Sequence, residues 1–112
     1  LESGLGWLEY WLDRLDGHFD SMGQHVPWLT RRPSELFREQ CFISIEADEA
    51  NRLPRLREMG FEQCILWGAD YPHYDCTYPG AVQDLEEHLA SLPADLADGV
   101  RWRTAERFLG LA

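Results

Sequence analysis

Apolar residues recur once per helical turn in several stretches of the chain, and each such stripe predicts a helix that packs one face against a core. Gly17 fits the cap that ends the first of these helices, and Ser34 fits the cap that begins the second. The predicted helical segments are residues 7–15, 34–38, 53–59, 82–92 and 102–109.

Two short runs between these helices have the composition of buried strands. Residues 41–45 and 64–67 are short and mostly apolar, and each lies between helical segments. Alternation of buried strands with helices predicts parallel βα units and therefore an α/β fold. Two or three parallel strands make a poor sheet because each strand needs neighbours and cover on both faces. We therefore expect further strands from additional chain or from a partner.

Composition narrows the class of protein. The chain has 112 residues, which suffices for one small domain, and 45% of them are hydrophobic. Its formal net charge of −10 disfavours binding to nucleic acid or to an anionic membrane surface. No apolar run approaches the roughly 20 residues of a membrane span. Three cysteines without paired spacing do not suggest a disulfide framework, so the predicted compartment is the cytoplasm.

Carboxylates follow the predicted strands at positions where parallel α/β folds bind ligands. Asp70 comes shortly after the second strand and Glu46 directly after the first, while Glu2 would be a third such residue if a strand precedes it. A carboxylate at a strand end can ligate a metal and accept a proton from bound water. An aspartate that bonds its own backbone in a turn explains the position of Asp70 equally well.

The stretch Leu-Trp-Gly-Ala-Asp-Tyr-Pro-His at residues 66–73 resembles the strand-eight motif of the amidohydrolase superfamily. The similar branch holds aminocarboxymuconate-semialdehyde decarboxylase and related decarboxylases and hydrolases. Nearly the whole chain takes part in the resemblance. Residues 2–16 are similar to the strand-six loop and its helix, residues 32–37 to the segment that leads into strand seven, and residues 105–111 to the closing helix.

The resemblance implies a (β/α)₈ barrel that binds a divalent metal, usually zinc. Residues 1–112 would be the C-terminal segment of such a barrel domain and supply its last two to three βα units. By the same resemblance Asp70 contacts the metal and its water. Glu2 stands where decarboxylases of the branch carry a histidine, and it is a candidate acid or base. His73 and Tyr71 are candidates for binding the substrate at the mouth.

Other ligands of the family's metal are absent from this sequence, namely the His-x-His pair of the first strand and a histidine of the middle strands. We therefore expect the complete barrel to be a metal-dependent hydrolase or decarboxylase of a small organic substrate, and this chain alone to be inactive. The alternative is a truncated or degenerate, non-catalytic assembly or binding subunit. Both hypotheses predict an oligomer or a complementing chain, because strand edges would otherwise stay open.

Overall fold

A computed structural model of the chain describes residues 4–111. Helices and strands alternate along the first two thirds of the chain, and helices alone follow. Three 3₁₀ turns lie at residues 23–25, 47–52 and 62–64, and a π-helical turn at residues 99–103 joins the last two helices. The elements are α1 (Gly6–Met22), α2 (Pro33–Gln40), β1 (Ile43–Ile45), α3 (Leu53–Glu58), β2 (Ile65–Trp67), α4 (Ala81–Leu89), α5 (Ala94–Asp98) and α6 (Thr104–Leu109).

The two strands pair in parallel, with Ile43 opposite Ile65 and Ile45 opposite Trp67. The prediction of a mixed α/β fold with parallel strands is confirmed, although each strand is shorter than predicted by one or two residues at its start. In residues 4–111 each strand has a neighbour on one edge only.

One face of this sheet carries the core. In β1 the side chains of Ile43 and Ile45 are buried and that of Ser44 between them is exposed, as the two-residue period of a strand requires. Helices cover the buried face with Leu8, Leu53 and other apolar side chains. On the opposite face Ser44 is exposed and its partner in β2, Leu66, is half-buried.

Helix α1 is longer than its sequence suggested. It continues to Met22, so Gly17 and His18 lie inside the helix and the predicted cap at Gly17 is wrong. The helix ends instead at Gly23, whose N–H bonds the carbonyl of Phe19. Glycine disfavours a helix interior by only about 1 kcal/mol, which the packing of a long amphipathic helix outweighs.

Two helix starts are capped by carboxylates from distant parts of the chain. Ser34 is not the N-cap of α2, because it lies within the first turn and its N–H and Oγ both donate to Asp16 of α1, at 3.0 and 2.6 Å. Glu49 accepts the N–H of Leu5 at 2.6 Å at the start of α1. Gly4 is required there, since its φ is +57° and a Cβ would lie 2.6 Å from Glu49 Oε1.

In three helices, some of the apolar residues that helical spacing assigned to the buried face are exposed. Trp11, Val82 and Trp102 belong to predicted stripes but are exposed. In the C-terminal segment the buried residues are Leu96, Ala97, Val100 and Thr104, whereas Phe108 and Leu109 are exposed. Residues 94–109 form one continuous helical segment, and Leu96, Val100 and Thr104 recur every four residues along its buried face. In the described part of the chain, no helix is long and apolar enough to cross a membrane.

Candidate functional site

The carboxyl ends of β1 and β2 lie side by side and carry acidic residues onto the same edge. Glu46 directly follows β1, and Asp70 follows β2 after Gly68 and Ala69. The Gly68 N–H donates to the Ile45 carbonyl at 3.3 Å, so the hydrogen bonding between β1 and β2 continues one residue beyond the end of β2. Parallel pairing therefore places both carboxylates at one end of the sheet.

Asp70 has a φ of +56° and is the non-glycine residue with a left-handed backbone in residues 4–111. Aspartate tolerates this region better than most residues, and such conformations cluster at functional sites. The His73 N–H donates to the Asp70 carbonyl at 2.8 Å, so the backbone turns back immediately after Asp70.

This turn brings three metal-ligating side chains together. His73 Nδ1 is hydrogen-bonded to the Asp75 carboxylate and lies 3.4 Å from Asp70 Oδ2. The potential ligand atoms of Asp70, His73 and Asp75 all lie within 4.8 Å of one another, and all three residues are exposed. The hydrogen bond from His73 lowers the pKa of Asp75, which favours the ionised, ligating form.

A cavity of about 210 Å³ opens between the two strand ends. Its lining includes Gly68, Ala69, Cys76 and Thr77. Five carboxylates line it as well, those of Glu46, Asp48, Asp70, Asp75 and Asp84.

The pKa of Glu46 is raised in this surrounding. Desolvation by the surrounding atoms raises the pKa of its carboxyl, and the charges of Asp48, Asp75, Glu49 and Asp70 raise it further. The residue as a whole is exposed, so its desolvation is partial.

The structure brings some of the predicted site residues together and separates others. Asp70 and His73 are in contact, as the shared loop suggested. Tyr71 is 64% exposed and packs on Tyr78, with 4.6 Å between ring centroids, so its ring lies outside the cavity lining. Glu2 lies outside the described residues. Asp75 was missed, although its His-x-Asp spacing from His73 was visible in the sequence.

Together these features define an α/β protein with carboxylate and imidazole donors at the carboxyl ends of parallel strands. A family model described as Amidohydrolase matches residues 2–111, and the chain belongs to the amidohydrolase family. Membership makes it part of a family of metal-dependent hydrolases that generally use divalent metals. No curated protein matches the chain significantly.

Proposed function

We propose that this chain forms the carboxyl-terminal part of a metal-dependent amidohydrolase barrel in which Asp70 binds the metal and accepts a proton. The substrate would be a small organic molecule that is hydrolysed or decarboxylated. The observation that carries the proposal is the position of Asp70 at the end of β2, next to His73 and Asp75, within a match to the family that spans the chain.

The donor set fits a divalent metal. Two carboxylates and an imidazole within 4.8 Å offer the oxygen and nitrogen ligands that zinc takes in catalytic sites, which usually hold three protein ligands. A bound divalent ion would polarise the substrate or lower the pKa of a bound water. Asp70 can ligate through one carboxylate oxygen and accept a proton on the other, while the hydrogen bond between Asp75 and His73 holds the other two ligands side by side.

The similarity of residues 66–73 to the decarboxylase branch supports zinc as the metal. It also supports the role of Glu2 as an acid or base and the placement of Tyr71 near the substrate mouth. The exposure of the Tyr71 ring is consistent with contact to a ligand that enters from solvent.

Further strands are part of the same proposal. Each strand of the described sheet has one open edge, and Ser44 is exposed on one face of the sheet. A parallel sheet is stable when both faces are covered and its edges are paired. We infer that strands from elsewhere, in the same or in a complementing chain, close the barrel and supply the remaining ligands.

A second candidate function is non-catalytic assembly, and the exposed apolar side chains of the C-terminal helical segment favour it. Trp102, Phe108 and Leu109 are 45%, 56% and 63% exposed, which is the kind of surface that partners cover. In that case the chain would join a barrel or a binding partner without holding a metal.

Metal binding tests the first candidate. The purified chain is titrated with Zn²⁺ against a chromophoric chelator, and we expect about one equivalent to bind. Asp70→Asn should weaken the affinity by more than about a hundredfold, since it removes a ligand. Asp13→Asn, on the exposed side of α1, is the matched control and should leave the affinity unchanged. Equal affinity in Asp70→Asn and the parent chain would refute the role of Asp70, and absence of binding would refute a metal site held by Asp70, His73 and Asp75 alone.

A further inference from the structure

Glu49 ties the segment that precedes α1 to the turn that follows β1. It lies in the 3₁₀ turn at residues 47–52, where the Glu49 N–H donates to the Glu46 carbonyl at 3.2 Å. The Glu49 side chain is half-buried, and its Oε1 accepts the N–H of Leu5 at 2.6 Å, a contact between residues 44 positions apart. A hydrogen bond to an ionised carboxylate is about twice as strong as one between neutral groups.

The backbone at Gly4 is shaped to fit this carboxylate. Its φ of +57° lies in the left-handed region, and a Cβ on Gly4 would lie 2.6 Å from Oε1 and 3.4 Å from Cδ of Glu49. A conformation that favours glycine and the absence of a side chain therefore serve the same contact. The bond to Leu5 caps the helix, and the close approach of Gly4 also fixes the direction in which the chain enters α1.

The same segment borders the candidate site. A cavity of about 110 Å³ has Gly4, Glu49 and Asp70 in its lining, and it shares Asp70 with the cavity between the strand ends. Glu2, the candidate acid or base, lies two residues before Gly4 in the sequence. The contact with Glu49 therefore acts on the backbone next to Glu2, at a point that faces the same cavity as Asp70.

We propose that Glu49 is a positioning residue, which holds the backbone that carries Glu2 beside the Asp70 cavity. The inference rests on the proposed function, which gives Glu2 its role as acid or base. Catalytic groups must be held within about 0.5 Å of their productive geometry by neighbours that are themselves fixed. Glu49 acts through the backbone of Gly4 and Leu5 and not by contact with reacting atoms.

A nitroxide attached to Cys76 tests whether Glu49 sets the position of this segment. Cys76 lines the cavity that contains Asp70 and is partly exposed, whereas Cys64 is buried. A methanethiosulfonate spin label therefore reacts at Cys76 in the ¹⁵N-labelled full chain once Cys41→Ser has removed the other accessible thiol. The label broadens the signals of nearby backbone amides, and this effect falls steeply with distance.

In the labelled parent chain we expect broadening at the amides of Gly4 and Leu5 and, as an internal reference, at Gly68. Glu49→Ala removes the acceptor and should abolish most of the broadening at Gly4 and Leu5 while that at Gly68 persists. Glu49→Asp keeps the charge but is one methylene too short, and it should have the same effect. Glu49→Gln keeps an oxygen acceptor in place and should restore the parent pattern. Glu87→Ala, on the exposed side of α4, is the matched control and should change nothing.

The proposal is overturned if the labelled parent shows no broadening at Gly4, or if Glu49→Ala and Glu49→Asp leave it unchanged. In the second case Glu49 is a cap of α1 and no more. An equal loss in Glu87→Ala would overturn it as well. The spin-label measurement needs no metal, so a failed zinc titration refutes the proposed metal site and leaves this result standing, and the two failures are distinguishable.

Discussion

The two ends of the same pair of strands differ in charge: an arginine lies at the amino ends, and carboxylates without an arginine partner in the described residues lie at the carboxyl ends. At the amino ends, Arg107 donates to Gln63 Oε1 at 3.1 Å and to the Gln63 carbonyl, and its guanidinium lies 4.9 Å from the ring centroid of Phe42. The Cys64 thiol contacts the Arg38 carbonyl at 3.5 Å, and burial raises its pKa, so it is a packed and unreactive group.

At the carboxyl ends the pattern is reversed. Glu46 and Asp70 have no arginine partner in the described residues, Asp70 holds a left-handed backbone, and Tyr71 exposes its ring. Strained and uncompensated groups cost stability and are retained where they serve binding or chemistry. The two strands of three residues each therefore have packed, compensated groups at their amino ends and the candidate site at their carboxyl ends.

The largest effect on stability should come from the amino-end core. Phe61 is 2% exposed and packs edge-on against Phe37 at 5.9 Å between ring centroids. Phe61→Ala should lower the free energy of unfolding by about 3–5 kcal/mol, because it removes a ring and leaves a cavity. Urea unfolding followed by tryptophan fluorescence measures the change.

Two variants sharpen that result. Phe108→Ala changes the same residue type at a site that is 56% exposed and should cost about 1 kcal/mol or less. Asp70→Asn at the opposite end should leave the free energy of unfolding within about 0.5 kcal/mol of the parent. A loss at Asp70→Asn as large as that at Phe61→Ala would break the separation of stability from function.

An intermediate effect is expected at Arg107. Arg107→Lys keeps the charge but loses the two hydrogen bonds to Gln63 and the stacking on Phe42, which together should cost about 1–2 kcal/mol in urea unfolding. Arg14→Lys, on the exposed side of α1, is the matched control and should be neutral. If both variants were neutral, the amino end would owe its stability to apolar packing alone.

The smallest effect concerns Glu46 and depends on pH. Its raised pKa means that the native state binds the proton more tightly than the unfolded state, so the ionised carboxylate destabilises the fold as pH rises above the unfolded value. Glu46→Gln should therefore stabilise the protein by about 0.5 kcal/mol at pH 7, and the gain should vanish near pH 4.

Glu86 offers the opposite case. The hydrogen bond from Arg101 lowers the pKa of Glu86, so that its contribution is present above the unfolded pKa and lost as pH falls through the folded value. Glu86→Gln should destabilise the protein slightly at neutral pH and have no effect in acid. Thermal unfolding at several pH values measures both changes in stability. If Glu46→Gln and Glu86→Gln changed the stability at neutral pH in the same direction, the predicted difference between the two carboxylates would be contradicted.

Much of the architecture could be predicted, because strands and loops are marked by the types of residue in short stretches of sequence. The short apolar runs located both strands to within two residues, and the motif around Asp70 identified the loop that carries the candidate site. The predictions that concerned exposure were less accurate. The stripes that included Trp11 and Trp102 satisfied helical spacing, but spacing alone does not say which of two adjacent faces meets the core.

The sequence by itself determined the class of the protein, since alternating helices and buried strands, an acidic composition and the Gly-Ala-Asp-Tyr-Pro-His stretch are all local properties of the chain. Only the tertiary structure decided which distant groups act together. Asp16 and Glu49 accept hydrogen bonds at helix starts from residues that lie 18 and 44 positions away, Ser34 and Leu5. Glu46 shares a cavity with Asp70 because parallel pairing aligns their strands. Hydrogen bonds and Coulomb interactions depend on distances in space, which separation along the chain does not fix.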